Sequence, residues 1–313
     1  MLIALGFMVL TDAPNSLASQ INKINLPSSY QISKNLSQGN DGQVKSAAYL
    51  LDIQGQNFVG QFTGKIMAVP DPSKIAVGFS LKNGKSDKTT SEMAKESKAV
   101  GAINAGTSNT NSVFGGAISP AGYVIRDGKV LYDDFKEANS PQDVAALTDE
   151  GKLIVGRHTL AELNKSGVKE AVSAGSALII NGTKQTLADD SCVNSRTAIG
   201  QKADGTVLML VMNGRSKGSM GATLKDVQNI LLEHGAVNAA PLDGGSLSSM
   251  YFQGNILKMS AVPNITKDCR HLTNMSQSHC VILTGFLAYI PRHNSSANRG
   301  SQINKLLIND SSA

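Results

Sequence analysis

The chain has 313 residues, 41% hydrophobic and only 4% aromatic, a length that fits one large domain or a domain with appendages. Its formal net charge is +5 and its pI near 9.0, but only 17% of residues are charged. No Lys/Arg run of nucleic-acid-binding length occurs, which excludes a DNA or RNA arm, while the mild basic excess suits an anionic small substrate or cell surface.

In chain order, residues 2–10 of "MLIALGFMVLTDAPNSLASQ" form an apolar run too short to span a bilayer. It resembles a signal-peptide core with "SLAS" as a small-residue cleavage context, although no Lys or Arg precedes it. A truncated anchor attaching the chain to a membrane would look the same. The expected location is extracytoplasmic, secreted or membrane-anchored. Residues 11–45 are rich in Ser, Asn and Gln without periodicity and read as a linker, so 1–45 forms one N-terminal segment.

From residue 46 to 260 the pattern is regular. "SAAYLLDI", "FVGQFTGKIMAV" and "KIAVGFSL" predict strands, and "AVGAINAG" predicts a buried strand ending on glycine. Asp127-Gly128, Asn181-Gly182 and Asp204-Gly205 lie between apolar runs and predict hairpins, because both residue types accept positive φ. Thr89 three residues before Glu92 predicts a capped helix, and "TLAELNKSG" predicts another, stopped by Gly167. The strongest helix is "ATLKDVQNILLEHGA", with Leu224, Val227, Ile230 and Leu231 on one face and Gly235 at its end. Hairpins outnumber βαβ units, so the expected class is α+β: a mixed, largely antiparallel sheet with a few packing helices. Residues 261–313 read as a divergent C-terminal segment with a polar tail.

Candidate chemistry concentrates at four places. Asn104 follows a buried strand and precedes Gly106, where backbone can approach a ligand; its amide could bind a sugar hydroxyl or phosphate oxygen, or brace a turn. Arg196 opens the strand "RTAIG", where a guanidinium could clamp a phosphate with two parallel bonds, although a structural ion pair would use the same residue. Asn213-Gly214-Arg215 ends another strand and leads through a glycine-rich loop to the strong helix, whose first N–H groups could hold an anion. Without a Gly-Lys-Ser/Thr ending this is no Walker A loop, and nucleotide binding is not expected. In "PLDGGSLSS", Asp243 stands at a strand end before Gly244, Gly245 and Ser246. The two glycines offer an anion-binding nest, and Ser246 and Ser248 add hydroxyls.

No Gly-x-Ser-x-Gly elbow is present, and no cofactor or metal is expected. Cys269, His271, His279 and Cys280 miss the spacing of a zinc set. A disulfide between Cys269 and Cys280 would leave Cys192 free, a pairing that the sequence leaves open.

Together "GAINAG", "SAGSALIINGT", "SRTAIGQKADGTVLMLVMNGR", "GATLKDVQNILLEHGAVNAAPLDGGS" and "SSMYFQGNIL" resemble, in order and spacing, the phosphodiester glycosidase family over about residues 56–259. That family usually reads Asp-Gly-Arg where this chain has Asn213-Gly214-Arg215, and glycine or serine where Leu247 stands. It usually has Gly-Phe where Thr107-Ser108 stands, and a "RAVP" closing strand where "SAVP" occurs. The resemblance implies hydrolysis of a glycosyl phosphodiester at the anomeric carbon in cell-envelope or exopolysaccharide metabolism, with a glycosyl-phosphate or polysaccharide as substrate. Asp243, Arg196 and Arg215 would be catalytic, and Asn104, Gly106, Gly214, Gly244, Gly245 and Ser246 would bind substrate. With Asn213 in place of Asp, a catalytically weakened glycan-binding envelope protein is the alternative, and a purely structural envelope protein is a third reading.

Overall fold

The computed structural model describes residues 47–80, 88–109, 119–133, 140–187, 192–258 and 284–288. Its first third contains β1 (Tyr49–Gln56), β2 (Gln61–Val69), β3 (Ile75–Phe79), α1 (Thr90–Glu96), β4 (Gly101–Ala105), β5 (Thr107–Asn109) and β6 (Ser119–Ala121). The middle contains β7 (Tyr123–Arg126), β8 (Lys129–Asp133), β9 (Gln142–Thr148), β10 (Leu153–His158), α2 (Leu160–Lys165), β11 (Val168–Ser173), β12 (Ile179–Ile180) and β13 (Thr183–Lys184). The last part contains β14 (Arg196–Lys202), β15 (Val207–Met212), α3 (Leu224–Glu233), β16 (Ala236–Leu242), β17 (Ser249–Phe252), β18 (Asn255–Lys258) and β19 (Thr284–Ala288).

The strands form a sheet of order β1-β2-β15-β14-β16-β12-β13, two five-stranded sheets, β10-β9-β11-β7-β8 and β18-β17-β4-β19-β3, and the small pair β5-β6. Every strand pair among the described residues is antiparallel. The expectation of a mixed sheet is therefore corrected: the architecture is mostly antiparallel β with three short helices among the described residues. Two of the predicted hairpins account for this locally. Asp127 and Gly128 have φ of 50° and 73°, and Asn181 and Gly182 have 50° and 75°, the paired positive values of a tight two-residue turn. At Asp204-Gly205 only the glycine is positive, at 89°, and Gly205 N donates to Lys202 O at 3.0 Å in a longer turn.

Period-two alternation sorts side chains between cores. Along β15, Val207, Met209 and Val211 enter a core shared by all three large sheets, while Leu208, Leu210 and Met212 enter a second core. α3 closes that second core with Val227, Ile230 and Leu231. α2 likewise packs Leu163 onto β7, β9 and β11, and α1 packs Ala94 against Ala102, Tyr251 and Leu287. Each sheet thus presents one face to the common centre and carries one helix on the other. All three helices begin with a reciprocal capping box: Thr89 with Glu92, Thr159 with Glu162, and Thr223 with Asp226.

β19 lies in the segment read as a divergent C-terminal segment with a polar tail, and, like β9, β10 and β11, it is a strand that the sequence reading does not predict. It lies between β3 and β4, with Phe286 paired to Val77 on one side and Ile103 on the other. Among the described residues no helix is long and apolar enough to cross a membrane. The apolar residues 2–10 and the residues that miss the spacing of a zinc set, Cys269, His271, His279 and Cys280, lie outside the described residues.

Candidate active site at the tips of three strands

Antiparallel pairing brings three predicted site segments to one edge of the large sheet. β14 begins at Arg196, opposite Met212, the last residue of β15. On its other side Thr197 pairs with Leu242, the last residue of β16, so Asp243 leaves the sheet beside the strand that Arg196 opens. Arg215 stands three residues beyond the tip of β15, on the far side of β14, in the loop leading to α3. Arg196, Arg215 and Asp243 are all partly exposed.

The Asp243 turn runs against the start of β14. A Cβ placed on Gly244 would stand 2.9 Å from the Ser195 carbonyl oxygen and 3.7 Å from Cα of Arg196, so the position requires the absent side chain. Ser195, fully buried, answers from the other side: its Oγ donates to Gly245 O at 2.6 Å, and its carbonyl accepts from Gly245 N at 3.1 Å. This commits the Gly245 N–H to the protein itself, so the expected nest does not offer that donor to an anion. Gly245 opens a single 3₁₀ turn, Gly245–Leu247, with φ of 66°.

Asn104 is placed differently from its expected role as a direct ligand. It is buried, with 0% exposure, and its Nδ2 donates to the backbone carbonyl of Asp243 at 2.6 Å. Its Oδ1 accepts from Thr197 Oγ1 at 2.9 Å and from Ser249 N at 3.0 Å. One amide therefore fastens both ends of the turn and ties them to β14. Ser248, expected to offer a hydroxyl outward, is 2% exposed and lies with its Oγ 3.3 Å from Thr197 Oγ1. Thr197, Ser195 and Ser249 complete this buried polar network and were not singled out from sequence; a hydroxyl within an apolar strand, as in "RTAIG", was the available signal. Gly106, at φ 74°, turns the chain from β4 into β5 immediately after this anchor.

Arg196 is oriented by backbone. Its Nε donates to Ala222 O at 3.1 Å and its Nη2 donates to Cys192 O. Ala222 also pairs with Asn194 through both backbone bonds, at 2.8 and 3.1 Å, so the segment leading into α3 is stitched to the segment leading into β14. The α3 start does not present the open donors expected of it. Thr223 Oγ1 accepts from Asp226 N at 3.0 Å, and Asp226 Oδ2 accepts from Thr223 N at 2.9 Å. A carboxylate of the helix itself occupies its N-terminus.

Asn213, the departure at the Asp-Gly-Arg position, faces β2. Its backbone N donates to Thr63 O at 2.8 Å and its Nδ2 donates to Thr63 Oγ1 at 2.7 Å. An Asp here could accept from the same hydroxyl, so the exchange preserves the bond with donor and acceptor reversed. Gly214 is buried, and Ser216 and Ser219 pinch the loop that carries Arg215 with bonds of 2.8 and 3.2 Å.

Cys192, whose state the sequence leaves open, is disulfide-bonded. A second unanticipated feature is Glu170 on β11, which is 6% exposed. Its carboxylate accepts from Val77 N at 2.6 Å and Asp127 N at 3.0 Å. Burial pushes its pKa up to about 7, against the pull of those two N–H donors; Asp127 adds to the rise and Arg126 opposes it.

The family model that matches this chain is Phosphodiester glycosidase, over residues 97–275, more than half the chain. The chain belongs to the phosphodiester glycosidase family. Its β4–β17 core, the Arg196 and Asp243 strand tips and the Asn104 latch all fall inside that match. Among similar proteins is the SPbeta prophage-derived protein YomE of Bacillus subtilis (strain 168), 32% identical over 178 residues, which are 54% of this chain and 27% of that relative. The chain thus matches about a quarter of the length of that relative. Among solved structures, the catalytic domain of zebrafish N-acetylglucosamine-1-phosphodiester α-N-acetylglucosaminidase, auto-inhibited by its pro-peptide, is similar with a TM-score of 0.59 at 17% identity. That likeness covers 84% of this chain and 87% of the zebrafish one, and it shows a shared fold.

Proposed function

We propose that this phosphodiester glycosidase-family chain hydrolyses a glycosyl phosphodiester at the anomeric carbon. Water adds to C1, the C1–O bond to phosphorus breaks, and the products are a free sugar and a phosphomonoester. Positive charge builds on the ring and negative charge on the departing phosphate. The leaving group is already good, so preorganised charge on its oxygens matters more than a strong general acid. Arg196 and Arg215 would supply that charge. Asp243 would stabilise the oxocarbenium ion, attack it, or activate the water.

The observation that carries this reading is the side-by-side anchoring of Arg196 and the Asp243 turn on neighbouring strand tips, where a Cβ added to Gly244 would stand 3.7 Å from the Arg196 Cα. Backbone anchored in this way would limit the reorganisation needed when an acid and a guanidinium meet charge of both signs a few ångströms apart. Asn213 does not weaken the case, because its side chain is engaged with Thr63 away from the Asp243 turn. Gly106, Gly214 and Gly244 shape the backbone around the substrate, and Ser246 contributes to the same turn.

An extracytoplasmic setting, with an envelope or extracellular glycan as substrate, accords with the disulfide at Cys192, since such bonds persist in oxidising compartments. Hydrolysis of a panel of sugar 1-(methyl phosphate) diesters in ¹⁸O-water tests the bond that breaks. Methyl phosphate free of label supports cleavage at the anomeric carbon; label in the methyl phosphate means attack at phosphorus and overturns the mechanism.

A further inference from the structure

We propose that Phe58 is a saccharide-stacking platform that holds a neighbouring pyranose ring of an extended substrate. The inference rests on the glycosidase reading of the strand-tip site. Phe58 stands at the tip of the β1–β2 hairpin and is 75% exposed. Among the described residues the other exposed large apolar side chains are Val130, Leu131, Met220 and Ile256. Single exposed apolar residues are ordinary, and exposure alone assigns nothing. What distinguishes Phe58 is how its turn is held and where.

The residue before it gives its whole amide to fixing the tip. Asn57 Oδ1 accepts from Val59 N at 3.0 Å and Gly60 N at 3.2 Å, and Asn57 N donates to Gly60 O at 3.0 Å. Asn57 Nδ2 donates outward, to Gly221 O at 3.1 Å and to Asp226 Oδ2 at 2.9 Å. That carboxylate belongs to the capping box of α3, and Gly221 belongs to the loop that carries Arg215. Met220 N donates to Gln61 O at 2.7 Å, and a Cβ on Gly60 would come within 2.9 Å of Met220 Cγ. The tip and the Arg215 loop are therefore one braced unit, with Phe58 and Met220 as its apolar outer surface. Folding draws little stabilisation from a ring left in water, yet the backbone turn that carries it is firmly braced.

The position fits an extended sugar chain. In the large sheet, β2 is separated from β16 by β15 and β14. At about 4.8 Å per strand the hairpin tip stands roughly 14 Å along the edge from the Asp243 turn. That is too far for the ring cleaved at Asp243 and within reach of another ring of the same chain. A pyranose offers one face of C–H groups, which packs on an aromatic face with hydroxyls left in water, and a preorganised ring avoids the ordering cost of binding.

The test is binding of neutral tetrasaccharides, namely chitotetraose, cellotetraose and maltotetraose, to the full chain by calorimetry and by ring-current shifts in NMR. Expected are upfield shifts on protons of a bound sugar, affinity insensitive to salt, about five- to tenfold weaker binding in Phe58→Ala, and restored binding in Phe58→Trp. Equal affinity in wild type and Phe58→Ala overturns the proposal, as does absence of binding to all three saccharides by the wild type. Turnover is not read, so a chain that binds through Phe58 but hydrolyses nothing keeps the platform and loses the hydrolase reading.

Discussion

The buried amide of Asn104 donates to the backbone carbonyl of Asp243 at 2.6 Å, so the penultimate residue of β4 sets the position of the acid that follows β16. The two lie 139 positions apart in the chain, and only tertiary folding joins them. Asn104 acts through Asp243 and Ser249; it is a positioning residue.

Asn104→Ala is expected to strand the Asp243 carbonyl, the Thr197 hydroxyl and the Ser249 N–H in a buried setting, at a cost of about 2–4 kcal/mol in unfolding free energy. Urea denaturation measures this. At denaturant-free conditions, where the variant remains folded, kcat should fall with little change in KM, because the turn loosens without losing a substrate contact. A variant as stable as wild type would show that the latch contributes nothing.

Much of the fold was legible in the sequence, and the reasons are local. Capping boxes and Asn-Gly or Asp-Gly turns are short-range signals, and all three capped helices and both tight hairpins form where those residues stand. Features that depend on distant segments or weak periodicity were not legible. β19 follows a stretch without periodicity, and only its pairing partners β3 and β4 reveal it as a strand. Gln253-Gly254, at φ 47° and 89°, makes the β17–β18 turn with a residue that carries no turn signature. Asn104 looked like a ligand because an amide beside a glycine has the chemistry; its burial and bonding partners come from segments far away in the chain. Similarly, sequence order alone could not say that α3 closes its own N-terminus or that Cys192 is paired.

Glu170 should give the protein a pH-dependent stability. Its folded pKa is raised to about 7 by burial, above its unfolded value, so the folded state holds the proton more tightly. This contribution is fully present below the unfolded pKa and is lost as pH rises through about 7, an effect of about 3 kcal/mol in all. Glu170→Gln removes the titration and places an amide donor near Val77 N or Asp127 N, which lowers stability by a pH-independent amount. Denaturation from pH 4 to pH 8 should show a falling stability in wild type and a flatter profile in the variant; parallel profiles would contradict the assignment.

The disulfide at Cys192 should support both stability and the site, because the Cys192 carbonyl accepts from Arg196 Nη2. Cys192→Ser, or reduction of the wild type, is expected to cost about 2–4 kcal/mol in stability and to lower turnover. Thermal melts and rates with and without reductant read the two effects together. Rates and melting temperature insensitive to reductant would mean that the bond does not hold Arg196 in place.

The most direct test of the account is turnover of sugar 1-(methyl phosphate) diesters by the purified chain and by Asp243→Asn, which keeps size and backbone bonding while removing the charge. The prediction is release of free sugar and methyl phosphate by the wild type, and a loss of about 10²–10³-fold in kcat in Asp243→Asn with the fold intact by circular dichroism. Equal rates in the two proteins, or no turnover by the wild type, would contradict it.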